Sequence, residues 1–541
     1  MRLHAKQAQE THQLMLEAAQ CYGREAFTAA ASLCERVLTL SPEFPDALHL
    51  LGLCRWKDGN RLSDALRLLI RARELKPDDA QLSHNLGIVF ELNGDLPAAR
   101  NAFQHATELN PGNAESHYNL GVLSAALDDE VGAEAAYRQA LTQDSRHAGA
   151  AAGLAVISET RNQLDEAERW LAIALHADPQ DVVANLTQAQ LDFRAGRYTQ
   201  AAASLEKLSV RTLSTVNRSL TLGRLGMAYD RLGKFDCAFT AFMQAKQALR
   251  ERLGDAPDDN LYGLAVAGRM QRHFVPLTRN AGTQIGAMAD TAPVFLVGFP
   301  RSGTTLLDQI LSSHSQIMVL EEQETLQDVL HDYAFSDASL MEFAACDVNV
   351  LRKYRERYWV RVSGFVPQRP RDKLFIDKLP LNTLHLPLIH RLFPEARIIF
   401  AVRDPRDVVL SCFMQSFEPN AAMRNFFTLE STVRYYTAVM DIGRQALSAF
   451  PRSIHRLRYE DLVEDTGTET RRLLAFLGLG WEPAVLEFHE TAKKRRINTP
   501  SYHQVTQPIY QAARQRWRNY AQHLQPVLSE LQVFVEYFGY T

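Results

Sequence analysis

An alanine that recurs every 34 or 35 residues constrains the first half of this chain more than any other feature. Six alanines keep this spacing and a seventh follows after a slightly longer gap: Ala30, Ala65, Ala99, Ala133, Ala167, Ala201 and Ala238. An apolar or aromatic residue stands three positions before most of them, and a proline closes most units. A unit of this length predicts two helices joined by a turn, with the small residue where the helices approach each other. One such pair cannot bury its apolar face alone, so neighbouring pairs must stack into a superhelix.

This pattern resembles the tetratricopeptide repeat, with about seven units over residues 13–250. The resemblance implies that nearly all the periodic positions serve packing. It also implies that any function lies on the concave surface, as a groove for a peptide or protein partner.

The second half of the chain follows a different pattern. Short apolar runs, "VFLVGF", "KLFIDK", "ARIIFAVRD" and "IHRLRYEDL", are separated by longer segments with helical spacing. Buried strands that alternate with helices predict a doubly wound parallel sheet. We therefore predict an all-α repeat array over residues 1–250, a partly helical connector over 251–291, and an α/β domain with a central parallel sheet over 292–541.

Composition and charge exclude several classes of protein. The 541 residues carry a formal net charge of -4, which is not that of a nucleic-acid binder. No apolar leader and no run of about 18 apolar residues is present, so neither a secretory signal nor a membrane span is expected. The six cysteines show no paired spacing, and no cluster has the spacing of metal ligands. We expect a cytoplasmic protein without disulfides or a metal; a homodimer stays open.

The segment "GFPRSGTT", residues 298–305, lies where a predicted strand runs into a predicted helix. At such a junction, backbone N–H groups of the loop and of the first helical turn converge on an anion. A loop that binds a nucleoside triphosphate needs a lysine after its second glycine, where this chain has Thr304. Arg301 supplies a guanidinium group for oxyanions instead. The loop therefore predicts a phosphate site that disfavours triphosphates.

With this loop, residues 292–541 resemble the sulfotransferase superfamily, whose P-loop-like domain binds 3′-phosphoadenosine 5′-phosphosulfate and releases 3′,5′-adenosine bisphosphate. The donor's 3′-phosphate requires a second anion site. "IIFAVRDPRDVVLSCF" matches the arginine and serine that clamp this phosphate in the superfamily. The resemblance thus implies donor contacts for Arg301, Ser302, Gly303, Thr304, Thr305, Arg403 and Ser411. Arg406 either assists or pairs with Asp404 or Asp407.

Three residues are the candidates for catalysis, because sulfuryl transfer needs a base for the acceptor's proton and cations where charge develops on the leaving phosphate. "SSHSQIMVLEEQETL" resembles protein-tyrosine sulfotransferases, in which the second glutamate of such a pair is the base. This implies Glu322 as base and leaves Glu321 and Glu324 as a solvated acidic helix start. "FIDKLPLNTLHLP" resembles a lysine motif of the same enzymes and implies that Lys378 reaches the bridging oxygen of the donor. Arg301 would share this task, and no metal is required.

The same resemblance points to four further positions at the nucleotide. Tyr459 in "RYEDLV" matches a tyrosine at a strand end, which either touches the nucleotide or packs in the core. "TPSYHQVTQPIYQAARQRWRNY" resembles a loop that the tyrosine-sulfating enzymes fold over the donor. The corresponding positions are Ser501 and Arg516, with Trp517 against the adenine.

The acceptor stays open at this point. The repeats and the expected lack of a membrane anchor make the chain resemble fused bacterial tetratricopeptide-repeat sulfotransferases. The Glu322 carboxylate suits the phenol of a tyrosine in a recruited peptide or protein, but a sugar or a small-molecule alcohol could use it too. His385 and His503 are interpreted as packed or surface histidines. A non-catalytic repeat scaffold with a degenerate nucleotide domain, and a kinase or NTPase, are the alternatives from other classes.

Overall fold

The computed structural model describes residues 2–58, 61–208, 210–257, 260–279, 292–370, 372–417, 420–488 and 514–540. The chain forms two compact units, Met1–Ser209 and Val210–Thr541.

The first unit is built from helices that follow one another in pairs. Several of them begin at an aspartate or asparagine whose side chain accepts a hydrogen bond from the first helical turn. The helices are α1 (Arg2–Gly23), α2 (Phe27–Leu40), α3 (Pro45–Lys57), α4 (Leu62–Leu75), α5 (Ala80–Leu92), α6 (Leu96–Leu109), α7 (Ala114–Ala126), α8 (Glu130–Gln143), α9 (Ala148–Thr160), α10 (Leu164–Ala177), α11 (Val182–Arg194) and α12 (Tyr198–Glu206).

The periodic alanines lie where paired helices meet, and all seven have an exposed fraction of 0%. Glycines on the first helix of several pairs face a large side chain on the second. A Cβ atom at Gly87 would lie 2.9 Å from the ring of Phe103, and one at Gly121 would lie 2.6 Å from the ring of Tyr137. The period thus reflects small residues that let large ones interlock, which confirms the predicted all-α repeat array.

A seventh helical pair, α13 (Thr215–Arg231) and α14 (Phe235–Leu253), shows the same packing. A Cβ atom at Gly226 would lie 2.8 Å from the ring of Phe242. This pair nevertheless belongs to the second unit, because Phe242 and Ala238 share a hydrophobic core with the sheet. The two compact units therefore divide at residue 209, while the repeat pattern of the sequence continues to about residue 250; the predicted domain bounds stay a prediction.

The second unit continues with helices and parallel strands. The strands are β1 (Val294–Gly298), β2 (Ile317–Glu321), β3 (Leu374–Lys378), β4 (Ile398–Val402) and β5 (Ile454–Arg458). The remaining α-helices are α15 (Leu264–Arg272), α16 (Phe274–Arg279), α17 (Thr304–Ser312), α18 (Gln327–Tyr333), α19 (Asp337–Ala345), α20 (Val348–Phe365), α21 (Leu386–Leu392), α22 (Pro405–Met414), α23 (Leu429–Ala449), α24 (Tyr459–Glu464), α25 (Thr466–Leu477), α26 (Ala521–Leu524) and α27 (Leu528–Phe538). Short 3₁₀ segments span Pro380–His385, Met423–Phe426, Pro483–Val485, Arg516–Tyr520 and Gln525–Val527.

The strands form one parallel sheet in the order β2-β3-β1-β4-β5. Alternate residues of β1 point into two different cores: Phe295 and Val297 join one, and Val294 and Leu296 join the other. The sheet is therefore buried on both faces, as expected for parallel strands, and the predicted α/β architecture is confirmed. Because the strands are parallel and aligned, their carboxyl ends lie along one edge.

The described residues hold no helix with the length and apolar content needed to cross a bilayer. The same ranges contain no cluster of three or more His, Cys, Asp or Glu side chains that could hold a metal ion. All six cysteines are described and are free thiols.

Gly121 provides a test of the interlock in the repeats. We expect Gly121→Ala to lower the free energy of unfolding of this region by about 1–3 kcal/mol. The Tyr137 ring has little room to give way, because its other edge packs on Gly153 so closely that a Cβ there would also lie 2.6 Å from the ring. Amide hydrogen exchange should accelerate in α7 and α8.

The matched control is Gly23→Ala at the end of α1, where an added Cβ meets nothing within 4 Å. Equal exchange in the two variants would contradict the interlock as the cause of the repeat period.

Candidate active site

Each strand of the sheet ends at or beside a residue that the sequence predicts for the site. These are residues 301–305 after β1, Glu322 after β2, Lys378 at the end of β3, Arg403 after β4 and Tyr459 after β5. Neighbouring strands lie about 4.8 Å apart, so β3 and β4, on either side of β1, are roughly 10 Å apart. The predicted residues accordingly form two clusters at one edge of the sheet.

The loop between β1 and α17 closes on itself. A Cβ atom at Gly298 would lie 2.5 Å from the carbonyl oxygen of Ala401, so only glycine fits where β1 enters the loop. The Ser302 hydroxyl donates to the Phe299 carbonyl (2.6 Å), and its N–H donates to the same oxygen (3.1 Å). Ser302 is predicted to contact the phosphosulfate donor. In the structure its own hydrogen bonds hold the loop together from inside.

Gly303 leads from the loop into α17 with φ at 97°, in the left-handed region that favours glycine. A Cβ there would also lie 2.7 Å from the ring of Tyr459. Thr304 and Thr305 begin α17 with buried side chains. The N–H groups of a first helical turn have no acceptor within the helix, so this end of α17 faces the sheet edge with hydrogen-bond donors.

The first cluster consists of residues that follow three different strands and are predicted to bind the phosphosulfate donor. The Arg301 Nε donates to the Ser411 Oγ (3.1 Å) on α22, and the Arg403 Nη1 donates to the Arg301 carbonyl (3.2 Å). The Arg403 guanidinium also lies over the Tyr459 ring, 4.9 Å from its centroid. Together with Gly303, these residues form a compact, positively charged group beside the start of α17.

The second cluster surrounds Lys378, whose side chain is completely buried. Its Nζ donates to the Oε1 of Glu322 (2.7 Å) and to the Oε1 of Glu321 (3.1 Å). Burial lowers the pKa of Lys378, but the charges of Glu322, Glu321 and Asp308 outweigh this, so the pKa is raised and the ammonium stays charged.

The placement of Glu321 corrects the interpretation of the acidic pair. Glu321 ends β2 and binds the buried ammonium, so it is not part of a solvated helix start. Glu324, by contrast, is exposed. The Glu322 side chain is 41% exposed, and its backbone has φ at 49° and donates to the Lys378 carbonyl (2.7 Å). Glu322 is thus turned out of the strand toward solvent while it stays paired with Lys378.

Arg406 pairs with Asp404, as one of the alternatives left open for it predicts. Its Nε and Nη2 donate to the two carboxylate oxygens at 2.9 and 2.7 Å. The guanidinium lies over the Trp517 ring, 4.0 Å from the centroid. The N–H of Trp517 donates to Asp407 (2.8 Å), which lies 3.8 Å from Arg403. Trp517 therefore joins the edge of the first cluster.

Arg516 lies in a different contact from its neighbour. Its Nη2 is 2.7 Å from Asp230 on α13, which also accepts from the Tyr520 hydroxyl (2.7 Å). The Arg516 guanidinium is thus bound to the seventh helical pair, and its contact with the nucleotide stays a prediction. Ser501 and His503 lie outside the described residues.

Two buried titratable groups belong to the same segment as Lys378: Asp377 directly precedes it and His385 follows seven residues later. Asp377 accepts from the hydroxyls of Thr325 (2.5 Å) and Tyr358 (2.9 Å), and burial raises the pKa of Asp377 to about 6. His385 is fully buried and packs edge-on against the Tyr262 ring at 5.1 Å. Burial lowers the pKa of His385 to about 3, so it is a neutral, packed histidine.

Comparison with known proteins finds matches in both halves of the chain. Residues 293–483 match the family model described as the sulfotransferase family, and residues 22–86, 93–147 and 132–182 match tetratricopeptide-repeat models. The chain combines tetratricopeptide repeats with a sulfotransferase-family domain.

Three relatives show how far the similarity reaches. An uncharacterized protein of Aquifex aeolicus is 33% identical over 255 residues, 44% of this chain and 32% of the relative. Nodulation protein NoeE of Sinorhizobium fredii is 30% identical, covering 38% of this chain and 54% of the relative. Protein-tyrosine sulfotransferase A of Caenorhabditis elegans is 24% identical, covering 42% and 61%. The chain thus spans between about a third and three fifths of the length of these relatives.

Sequence reasoning missed two residues that support the first cluster of the sulfotransferase domain. Glu460 is buried next to Tyr459 and accepts from the Asp404 N–H (3.1 Å). Its other carboxylate oxygen accepts from the Tyr540 hydroxyl (2.7 Å). Glu460 stands in the quoted "RYEDLV" segment, but nothing in the sequence links it to Tyr540, 80 residues later.

Tyr540→Phe tests this support. We expect the variant to lower the free energy of unfolding of the sulfotransferase domain by about 1–3 kcal/mol, because the buried Glu460 carboxylate loses a donor. Urea unfolding followed by tryptophan fluorescence measures the change. Tyr537→Phe is the control, since Tyr537 is more exposed and its hydroxyl makes only a 3.5 Å contact; an equal effect in both variants would contradict the role of Tyr540.

Asp377→Asn tests the buried carboxyl group. A pKa of about 6 in the folded protein means that the folded state binds this proton more tightly than the unfolded state does. Asp377 therefore costs stability as pH rises from about 4 to above 6. Relative to the wild type, we expect the asparagine variant to gain roughly 1–2 kcal/mol between pH 5 and pH 8, measured by urea unfolding.

Asp328→Asn is the matched control for this pH series. The hydrogen bond from Arg361 holds the pKa of Asp328 below its usual value, so its carboxylate is charged throughout that range. Its effect on stability should be the same at pH 5 and pH 8, and a flat profile for Asp377→Asn as well would contradict the prediction.

Proposed function

We propose that this chain transfers a sulfuryl group from 3′-phosphoadenosine 5′-phosphosulfate to a hydroxyl acceptor, a tyrosine of a peptide or protein that the repeats recruit. The observation that carries the proposal is the pair of clusters at one edge of the sheet. One offers two arginines, a serine and a helix N-terminus, and the other offers a buried lysine beside an exposed carboxylate. A donor that carries two phosphate groups and a transferable sulfuryl group needs one region for its phosphates and another for the transfer.

In the proposed complex, the first cluster binds the phosphates. Arg403 and Ser411 contact the 3′-phosphate, and Arg301 lies between them and the start of α17. Guanidinium groups suit this task because their planar N–H donors match phosphate oxygens. Tyr459 packs under Arg403 and next to Gly303, which supports its assignment to the nucleotide side of the site.

The second cluster carries the chemistry. The acceptor oxygen attacks the sulfur while the bond from sulfur to the 5′-phosphate oxygen breaks, and 3′,5′-adenosine bisphosphate leaves. Glu322 takes the proton of the acceptor hydroxyl, which its exposure allows. The Lys378 ammonium has three N–H donors and donates to both glutamates. The proposed reaction requires that it also donate to the bridging oxygen, where negative charge develops.

The choice of a tyrosine acceptor is supported by the similarity to a protein-tyrosine sulfotransferase and by the presence of repeats that indicate protein partners. A glycan or a small-molecule alcohol is the alternative acceptor, because a carboxylate base serves any hydroxyl. Cytoplasmic location and a homodimer stay predictions.

Glu322→Gln tests the proposed base. We expect donor-dependent sulfation of tyrosine-containing peptides to fall by about 10²–10⁴-fold, since the amide cannot take the proton. Transfer of labelled sulfate measures the rate. Glu324→Gln, an exposed glutamate two residues later, should retain the wild-type rate.

Calorimetry with 3′,5′-adenosine bisphosphate distinguishes a sulfotransferase from a non-catalytic scaffold and from a nucleoside-triphosphate site. Binding by both wild type and Glu322→Gln, with sulfation lost only in the variant, agrees with a base. Binding without sulfation of peptides, glycans or phenols by the wild type would favour the non-catalytic scaffold. Competition by ATP at equal concentration would favour a nucleoside-triphosphate site instead.

A further inference from the structure

Lys246 of α14 is a buried cation for which neither the sequence motifs nor the proposed reaction accounts. Only 5% of the residue is exposed. Its Nζ donates to the carbonyl oxygen of Gln415 (2.6 Å), directly after the last residue of α22. Burying an ammonium group is costly, and an apolar side chain would fill the same space without that cost. The lysine therefore serves the contact with α22.

The end of α22 is where a cation has the strongest local effect. The last carbonyls of a helix have no partner within the helix, and the helix dipole places partial negative charge there. The Gln415 N–H in turn donates to the Ser411 carbonyl (3.1 Å). Lys246 thus fixes the helical turn that carries Ser411.

Three consecutive residues of α22 connect this turn to the loop on one side and to α14 on the other. Ser411 accepts from Arg301 (3.1 Å), and the Cys412 thiol donates to the Pro300 carbonyl (3.3 Å). Phe413 packs against Phe239 of α14, with ring centroids 5.3 Å apart. A shift of α22 on α14 would therefore disturb the contacts that Ser411 and Cys412 make with the loop between β1 and α17.

We propose that Lys246 is a positioning residue of the donor site, acting through the end of α22 to hold Ser411 against Arg301. This inference rests on the proposed donor function of that cluster. It gives the seventh helical pair a role that its repeat-like sequence does not suggest: it is a structural part of the phosphate site.

The test compares donor binding in Lys246→Met with that in the full-length wild type, by calorimetry with 3′,5′-adenosine bisphosphate. Methionine keeps the unbranched shape and removes the donor. Loss of one such hydrogen bond predicts about fivefold to tenfold weaker binding. In an assay of sulfate transfer to a tyrosine-containing peptide, the KM for the donor should rise by a similar factor, while kcat stays close to that of the wild type.

A double-mutant cycle distinguishes positioning from general destabilisation. If Lys246 acts through Ser411, then Lys246→Met should weaken binding little further in a Ser411→Ala background. Phe242→Leu, in the same helix and in the core but without a hydrogen bond to α22, is the control. It should lower the unfolding midpoint and leave the Kd for the bisphosphate unchanged.

Equal Kd values for wild type and Lys246→Met would overturn the inference alone, as would additive effects in the cycle or the same loss in Phe242→Leu. A wild-type protein that does not bind the bisphosphate would overturn the proposed function, and this inference with it.

Discussion

Five parallel strands in register bring the chemistry of this chain to one edge of a sheet. The residues concerned are spread over more than 150 positions, from Arg301 to Tyr459, yet each follows or ends a strand of five residues. Because parallel strands end at the same side, any residue one step past a strand end lies in one row. The spacing of the row then follows from the strand order β2-β3-β1-β4-β5, which puts Lys378 on one side of the loop between β1 and α17 and Arg403 on the other.

Backbone strain marks the same edge. In the described part of the second unit, the left-handed residues other than glycine are Arg301, Glu322 and Gln515. Such conformations cost about 1–3 kcal/mol and persist where neighbouring groups hold them. Glu322 is held by its N–H bond to the Lys378 carbonyl, and Arg301 by the bond from Arg403 to its own carbonyl. With this backbone conformation, the side chains of Arg301 and Glu322 point in directions that differ from those in a continuing strand.

The sequence was sufficient for features that depend on local spacing. The alanine period predicted the helical pairs, and the strand, loop and helix around "GFPRSGTT" were predicted from apolar runs and glycines. Features that depend on contacts between distant residues were not accessible in this way. The pairing of Glu321 with Lys378 requires that β2 and β3 be neighbours, and the position of Lys246 requires that a repeat-like helix pack on α22. Periodicity reports which face of an element is buried, but not which element covers it.

No lysine follows the second glycine of the loop, but another strand of the sheet supplies an ammonium group beside the loop. In the nucleoside-triphosphate loop the ammonium follows the loop glycine directly and reaches the outer phosphates. Here Thr304 occupies that position, and the nearest strand on that side, β3, ends in Lys378. An ammonium fixed between two carboxylates is charged at neutral pH but has little net positive charge to offer a polyanion. It is therefore poorly suited to hold a triphosphate, and in the proposed reaction it would act on the single oxygen where charge develops.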